Sequence, residues 1–215
     1  MAGTCCARDY EKVFGRKTAA RDARRFRRRG LRGSAKTLVE LAGDVDGATV
    51  LEIGGGVGAI EIALLEKGAA SATNVELAAT YEDAARSLLA ERDLTERVER
   101  RIGDFVAEAS ALPAHDVVVM HRVVCCYPDV DALVGAGADH ARRRMVLTFP
   151  QERRLVRAVL STVNAVMRIV GSTFQVYVHP FERIAAAAGA HGLGPVERQR
   201  SGYVWETAAF STSAR

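Results

Sequence analysis

The stretch that most limits what this chain can fold into is Val50-Leu51-Glu52-Ile53-Gly54-Gly55-Gly56-Val57-Gly58, a β-branched apolar run that halts at clustered glycines. A strand that ends in glycines and opens a helix aims free backbone N–H groups at a polar ligand. It does so with no Cβ in the way and with positive φ accessible in the turn. Such a unit belongs to a parallel sheet covered on both faces, and the following text alternates accordingly. Strands are expected at 48–53, 72–76, 97–102, 115–120 and 144–149, with helices over 57–67, 78–92 and 130–140 between them. Ile60, Ala63 and Leu64 in the first helix, and Ala85, Leu88 and Leu89 in the second, should face inward, and Asp129 should cap the third.

After Pro150 the apolar spacing of Leu155, Val159, Val163, Val166 and Val170 predicts a long helix over about 152–169 that stops at Gly171. A short strand at 173–178 should follow, then an alanine-rich helix at 181–190 and two closing strands at 193–198 and 203–210 joined by a Ser-Gly turn. The expected fold class is α/β, a doubly wound, mostly parallel seven-stranded sheet of Rossmann-like type.

Ahead of the sheet, residues 8–36 carry twelve Lys or Arg against three acids, so this segment is +9 and the remainder −5 within a net +4. Residues 7–29 read as one or two basic amphipathic helices, with Tyr10, Val13 and Phe14, then Ala20, Ala23 and Phe26, as apolar contacts. Ser34 should cap a further helix ending near Gly43. The segment holds too few apolar residues for a core of its own, so it must dock elsewhere or stay mobile. The domain reading is therefore a basic helical lid over 1–33 and one catalytic domain over 34–215, divided into 48–150 and 151–215. Tyr10, Phe14 and Phe26 would face inward under the lid, and one or two arginines could reach an acidic group on a substrate.

Every apolar run is broken before spanning length, which argues against membrane insertion, and the first residues lack the apolar stretch of a signal peptide. The expected location is the cytoplasm. Cys5-Cys6 and Cys125-Cys126 form neither a zinc pattern nor a secreted disulfide framework, so reduced thiols and no metal site are expected.

The glycine turn alone leaves two chemistries open. Gly54, Gly56 and Ala59 satisfy the dinucleotide fingerprint, and Glu76 lies at the distance of a ribose-binding acid. Glu52, two residues before the first glycine, breaks the tie, because dinucleotide-binding strands usually carry an apolar residue there. The pattern ExGxGxG, the acid Glu76 closing the second strand, Gly103-Asp104-Phe105 after the third and Asp116-Val117-Val118-Val119-Met120-His121 as the fourth resemble, in order, the class I S-adenosylmethionine-dependent methyltransferases.

That resemblance implies S-adenosylmethionine as cofactor. Gly54, Gly56 and Gly58, with Glu52 nearby, would then hold its methionine part, and Glu76 both ribose hydroxyls. Asp104 would take the adenine amine with Phe105 beside the ring, and His121 would lie near the transferred methyl. Asp104 reads equally as a helix cap. Residues 100–210 further resemble the magnesium-protoporphyrin IX O-methyltransferases through Tyr127-Pro128, Thr148-Phe149 and Tyr177-Val178-His179. Cys126 stands where that group usually has histidine, so a sister group with another acceptor is expected.

Candidates for acting on the acceptor are His121, Tyr127 and His179, with Cys126 and Tyr10 behind them. The expected reaction is methyl transfer to oxygen of a small-molecule acceptor. An RNA methyltransferase would use the basic segment, but the Asn/Asp-Pro-Pro-Tyr tetrad is absent and aromatic interleaving is sparse, which disfavours nucleic acid. A dinucleotide oxidoreductase leaves Glu52 and Asp104 without roles, and a non-catalytic binding protein of the same fold stays open.

Overall fold

The computed structural model describes Tyr10 and residues 13–212. Cys5, Cys6 and parts of the first expected helix lie outside the described residues. In chain order the main elements are helices α1 (Arg16–Arg29) and α2 (Ser34–Leu41), β1 (Thr49–Ile53), α3 (Ala59–Glu66), β2 (Ser71–Glu76), α4 (Glu82–Ala90), β3 (Val98–Ile102) and α5 (Phe105–Glu108). There follow β4 (His115–His121), α6 (Val130–Asp139), β5 (Ala141–Pro150), α7 (Arg154–Ile169), α8 (Phe181–Ala190), β6 (Leu193–Ser201) and β7 (Trp205–Thr212).

The seven strands form one sheet in the order β3-β2-β1-β4-β5-β7-β6. The sheet is mixed rather than mostly parallel. The pairings among β1 to β5 are parallel, whereas β7 runs antiparallel to both β5 and β6. The tight turn after Ser201 reverses the chain with no crossover helix, and only antiparallel strands can be joined that way.

Strand β4 explains how one sheet serves two cores. Val117 and Val119 point to one face, packing with Leu38, Val50, Ile62 and Leu64. Val118 and Met120 point to the other, with Leu51, Ile53, Leu147 and Phe210. The chain order diverges at β1 and β4, whose registers align Ile53 with both Val75 and Met120. A crevice therefore opens beyond their carboxyl ends, where ligands of doubly wound sheets bind.

Three sequence expectations need correction. The segment 173–178 is not a strand, because its backbone groups find other partners. Val176 exchanges two 2.8 Å bonds with the Asn164 side chain of α7, and the Tyr177 N–H donates to the Cys125 carbonyl at 2.7 Å. In α1 the buried positions are Ala19, Ala23 and Phe26, an i, i+4, i+7 set, and Ala20 is exposed. Ser34 is the first residue of α2 rather than its cap, which is Gly33, and its hydroxyl turns to the sheet. Asp129 does cap α6, accepting from the Ala132 N–H at 3.0 Å. No described helix is long and apolar enough to cross a membrane.

Candidate functional site

At the β1/β4 divergence lies a cavity of about 400 Å³, within the range of small-molecule sites. Its floor is the glycine turn. Gly54 has φ +66°, and a Cβ there would come within 2.5 Å of the Val123 side chain from the loop after β4. Gly58 has φ +76°, and its Cβ would meet Glu61 at 2.2 Å. Both positions therefore demand glycine on conformational and steric grounds.

Beneath the turn sits a polar network. Glu52 and Glu61 are buried, and Glu52 accepts from the Glu61 N–H at 2.9 Å. Glu61 in turn accepts from the Asn74 amide at 2.6 Å and from Arg100 at 3.2 Å. The Arg100 guanidinium also donates to Glu82 at 2.9 Å and to the Gly56 carbonyl at 3.0 Å, fastening the turn to β3. Burial pushes the Glu52 carboxyl well above the usual carboxylate range, with the neighbouring Glu61 adding to it. Burial also raises Glu61, opposed by Arg100 and Asn74. Partial burial raises Glu82, but Arg100 and Arg86 bring it below its ordinary value.

Glu76 ends β2 on the cavity wall. Its Oε2 accepts from the Gly56 N–H at 2.7 Å and its Oε1 from the Ala78 N–H at 2.8 Å. The Leu77 backbone adds a third bond, and because a carboxylate offers about four acceptor positions, Glu76 keeps room for a ligand hydroxyl. Asp104 caps α5 through the Val106 N–H at 3.0 Å and accepts from the Tyr127 hydroxyl at 3.2 Å. Phe105 is buried at the same wall.

On the opposite side His121 ends β4. Its Nε2 lies 3.0 Å from the Ser34 hydroxyl, which also accepts from Arg122 at 3.1 Å. An arginine can only donate, and Ser34 is buried, so its single proton is left for His121. That assigns Nε2 as acceptor and Nδ1 as the protonated nitrogen. Burial, helped by the Arg122 charge, pushes the His121 imidazole down to about 3, so it is neutral near pH 7.

The amino-terminal segment closes the roof. Tyr10 and Phe14 stack at 5.7 Å between centroids, both meet the Phe174 ring edge-on, and the Tyr10 hydroxyl donates to the Cys126 carbonyl. Tyr10, Phe14 and Phe26 all line the cavity.

The cavity thus gathers Glu52, Gly54, Gly56, Glu76, Asp104, Phe105, His121, Cys126 and Tyr127 from five separate stretches of sequence. Gly58 is outside the lining and precedes α3 as its left-handed cap residue. His179 is outside the lining; its Nε2 donates to the Tyr127 carbonyl at 3.0 Å and so steadies the loop after β4. The Cys125 and Cys126 sulfurs lie 3.7 Å apart, and no group of three side chains suited to a metal ion occurs among the described residues. Sequence reasoning missed Ser34, Arg100 and Arg122, and Tyr81, which also lines the cavity. Only Arg122 left a local signal, because it follows His121 at the carboxyl end of a central strand.

No protein-family model matches the chain, and no curated protein matches it. Solved structures do. Magnesium protoporphyrin IX methyltransferase from Synechocystis, with bound SAH, superposes with a TM-score of 0.67 at 18% identity, over 99% of this chain and 90% of that one. An O-methyltransferase family protein from Burkholderia thailandensis gives 0.72 at 19% identity, over 95% and 63%. Geranyl diphosphate C-methyltransferase from Streptomyces coelicolor, in complex with Mg²⁺, geranyl diphosphate and S-adenosyl-L-homocysteine, gives 0.65 at 13%, over 84% and 78%. The chain has the fold of the class I S-adenosylmethionine-dependent methyltransferases.

Proposed function

We propose that this chain is an S-adenosylmethionine-dependent methyltransferase that methylates an oxygen of a small-molecule acceptor. The observation that carries the reading is the pairing within one cavity of the Glu76 carboxylate and the glycine turn it braces. Glu76 would hold the ribose hydroxyls, the turn at Gly54 and Gly56 the methionine part, and Asp104 with Phe105 the adenine. When bound, the cofactor supplies a methyl group already activated by its sulfonium.

The chain's own residues then need only align an acceptor and keep water out. Tyr127, held by Asp104, and His121, held by Ser34, border the space left for the acceptor. With Nε2 engaged and the ring neutral, His121 presents its Nδ1–H as a donor, which suits orienting an oxygen nucleophile. The roof of Tyr10, Phe14 and Phe26 forms a lid over that space.

Calorimetry with S-adenosylhomocysteine tests the reading. Binding is expected, NAD should not bind, and Glu76→Ala should weaken S-adenosylhomocysteine by about 1.5–3 kcal/mol, the scale of lost charge-assisted hydrogen bonds. Unchanged affinity in a folded variant removes Glu76 from the site. Tyr127→Phe should reduce turnover more than cofactor affinity, measured as kcat against Kd.

A further inference from the structure

We propose that Arg122, together with Arg25 and Arg32, anchors an acidic group of the acceptor, a carboxylate or phosphate, while the methyl goes to a separate hydroxyl. The inference rests on the methyltransferase reading and names its substrate class.

Arg122 is the prepared member of the set. It is one of two non-glycine described residues in the left-handed region, with φ +62°, a conformation that disfavours a side chain and is kept only where surroundings impose it. Those surroundings are specific. One guanidinium nitrogen donates to Ser34 at 3.1 Å, and the guanidinium lies 4.4 Å from the ring centroid of Trp205, the single tryptophan of the chain. Stacking and one tether fix the plane of the fork and leave further N–H groups for a ligand.

The charge around it is unbalanced. Elsewhere Arg27, Arg86, Arg92, Arg100, Arg183 and Arg198 each pair with a carboxylate. Arg25, Arg32 and Arg122 line the cavity and form no ion pair with any described residue. Asp22 also lines the cavity, and its charge acts on Arg122. It accepts from the Tyr81 hydroxyl at 3.4 Å and lies 3.8 Å from Arg21, so it does not neutralise three cations. Three guanidinium groups around one cavity attract an anion. An oxyanion gripped by arginines has its lone pairs committed to hydrogen bonds and is a weakened nucleophile. The gripped acid is therefore the handle. The O–CH₃ bond forms at another hydroxyl as the S–CH₃ bond breaks, the bonding pair stays on sulfur, and that hydroxyl's proton passes to solvent.

The test uses the full chain, radiolabelled S-adenosylmethionine and a metabolite extract split on an anion exchanger at neutral pH. Acceptor activity should reside in the retained, anionic fraction. With that fraction, Arg122→Gln should raise the acceptor KM about 10- to 100-fold, the effect of losing a charged hydrogen-bonding partner, and leave S-adenosylhomocysteine affinity within about twofold. Arg24→Gln, on the exposed face of α1 outside the cavity, should change neither. Should Arg122→Gln misfold, the Arg25→Gln/Arg32→Gln double variant carries the same expectation. Acceptor activity in the unretained fraction overturns the proposal. So does a loss of S-adenosylhomocysteine affinity at constant KM, which would assign the arginines to the cofactor's own carboxylate. Binding of S-adenosylhomocysteine without transfer into any fraction defeats the methyltransferase reading itself, a result distinct from either.

Discussion

The floor of the cavity and helix α7 use charge and apolar residues in opposite ways. Under the glycine turn, Glu52, Glu61 and Arg100 are withdrawn from water and satisfied by one another, by Asn74 and by backbone. In α7, which is amphipathic and sixteen residues long, only Val156 is buried, while Leu155, Val159, Val166 and Ile169 face solvent. Periodicity therefore specifies the helix but not a partner for its stripe, whereas the floor is specified by contacts that no periodicity announces. Polar burial of this kind is costly to disrupt, because each member left alone keeps its desolvation cost.

The contrast can be broken in three places. The largest effect is expected from Arg100→Met, which leaves Glu61 and Glu82 without their shared cation. It should cost about 3–5 kcal/mol in urea unfolding, the scale for breaking a buried ion pair. Adding Glu61→Gln should recover part of that loss. A cost below about 1 kcal/mol would mean that the floor is no more cohesive than the exposed helix.

A smaller effect is expected at His121, and it depends on pH. The folded imidazole stays neutral down to about pH 3, while the unfolded one takes a proton below its ordinary value of 6.5. The unfolded chain thus binds more protons between these limits, and stability falls as pH drops from 6.5 toward 3. His121→Gln removes this contribution, so the variant should resist acid better than the wild type and differ little from it at pH 8. Acid unfolding followed by circular dichroism reads the difference. An unshifted acid midpoint would mean that His121 is not held neutral.

The smallest effect is expected in α7, where Val166→Ser and Ile169→Ser should each change stability by no more than about 0.5 kcal/mol, as for exposed sites. Leu64→Ala in α3, fully buried, should cost about 2–5 kcal/mol in the same assay. A loss above 1 kcal/mol at Ile169 would mean that the stripe is covered in solution and the comparison is false.

The sequence by itself determined the elements whose causes are local. The unbroken apolar run Val117-Val118-Val119-Met120 specified a strand with two buried faces, and Asp129 before an apolar run specified a helix start. Gly54 and Gly58 marked the turn because their backbone demands are written into residue type. The strand order of doubly wound sheets then brought Glu76, Asp104 and His121 to one crevice. Where a local signal had a nonlocal competitor, the sequence misled. Ser34 has the chemistry of a cap, but its hydroxyl is claimed by His121 and Arg122, 87 and 88 residues away. Residues 173–178 have strand composition, but Asn164 and the Cys125 carbonyl satisfy their backbone. The reversed β7 likewise follows from a turn too short for a crossover. Residue type and spacing decide which conformations are available; which one is occupied at Ser34, Arg100 and Arg122 is decided by partners that only the closed sheet brings within 3.2 Å.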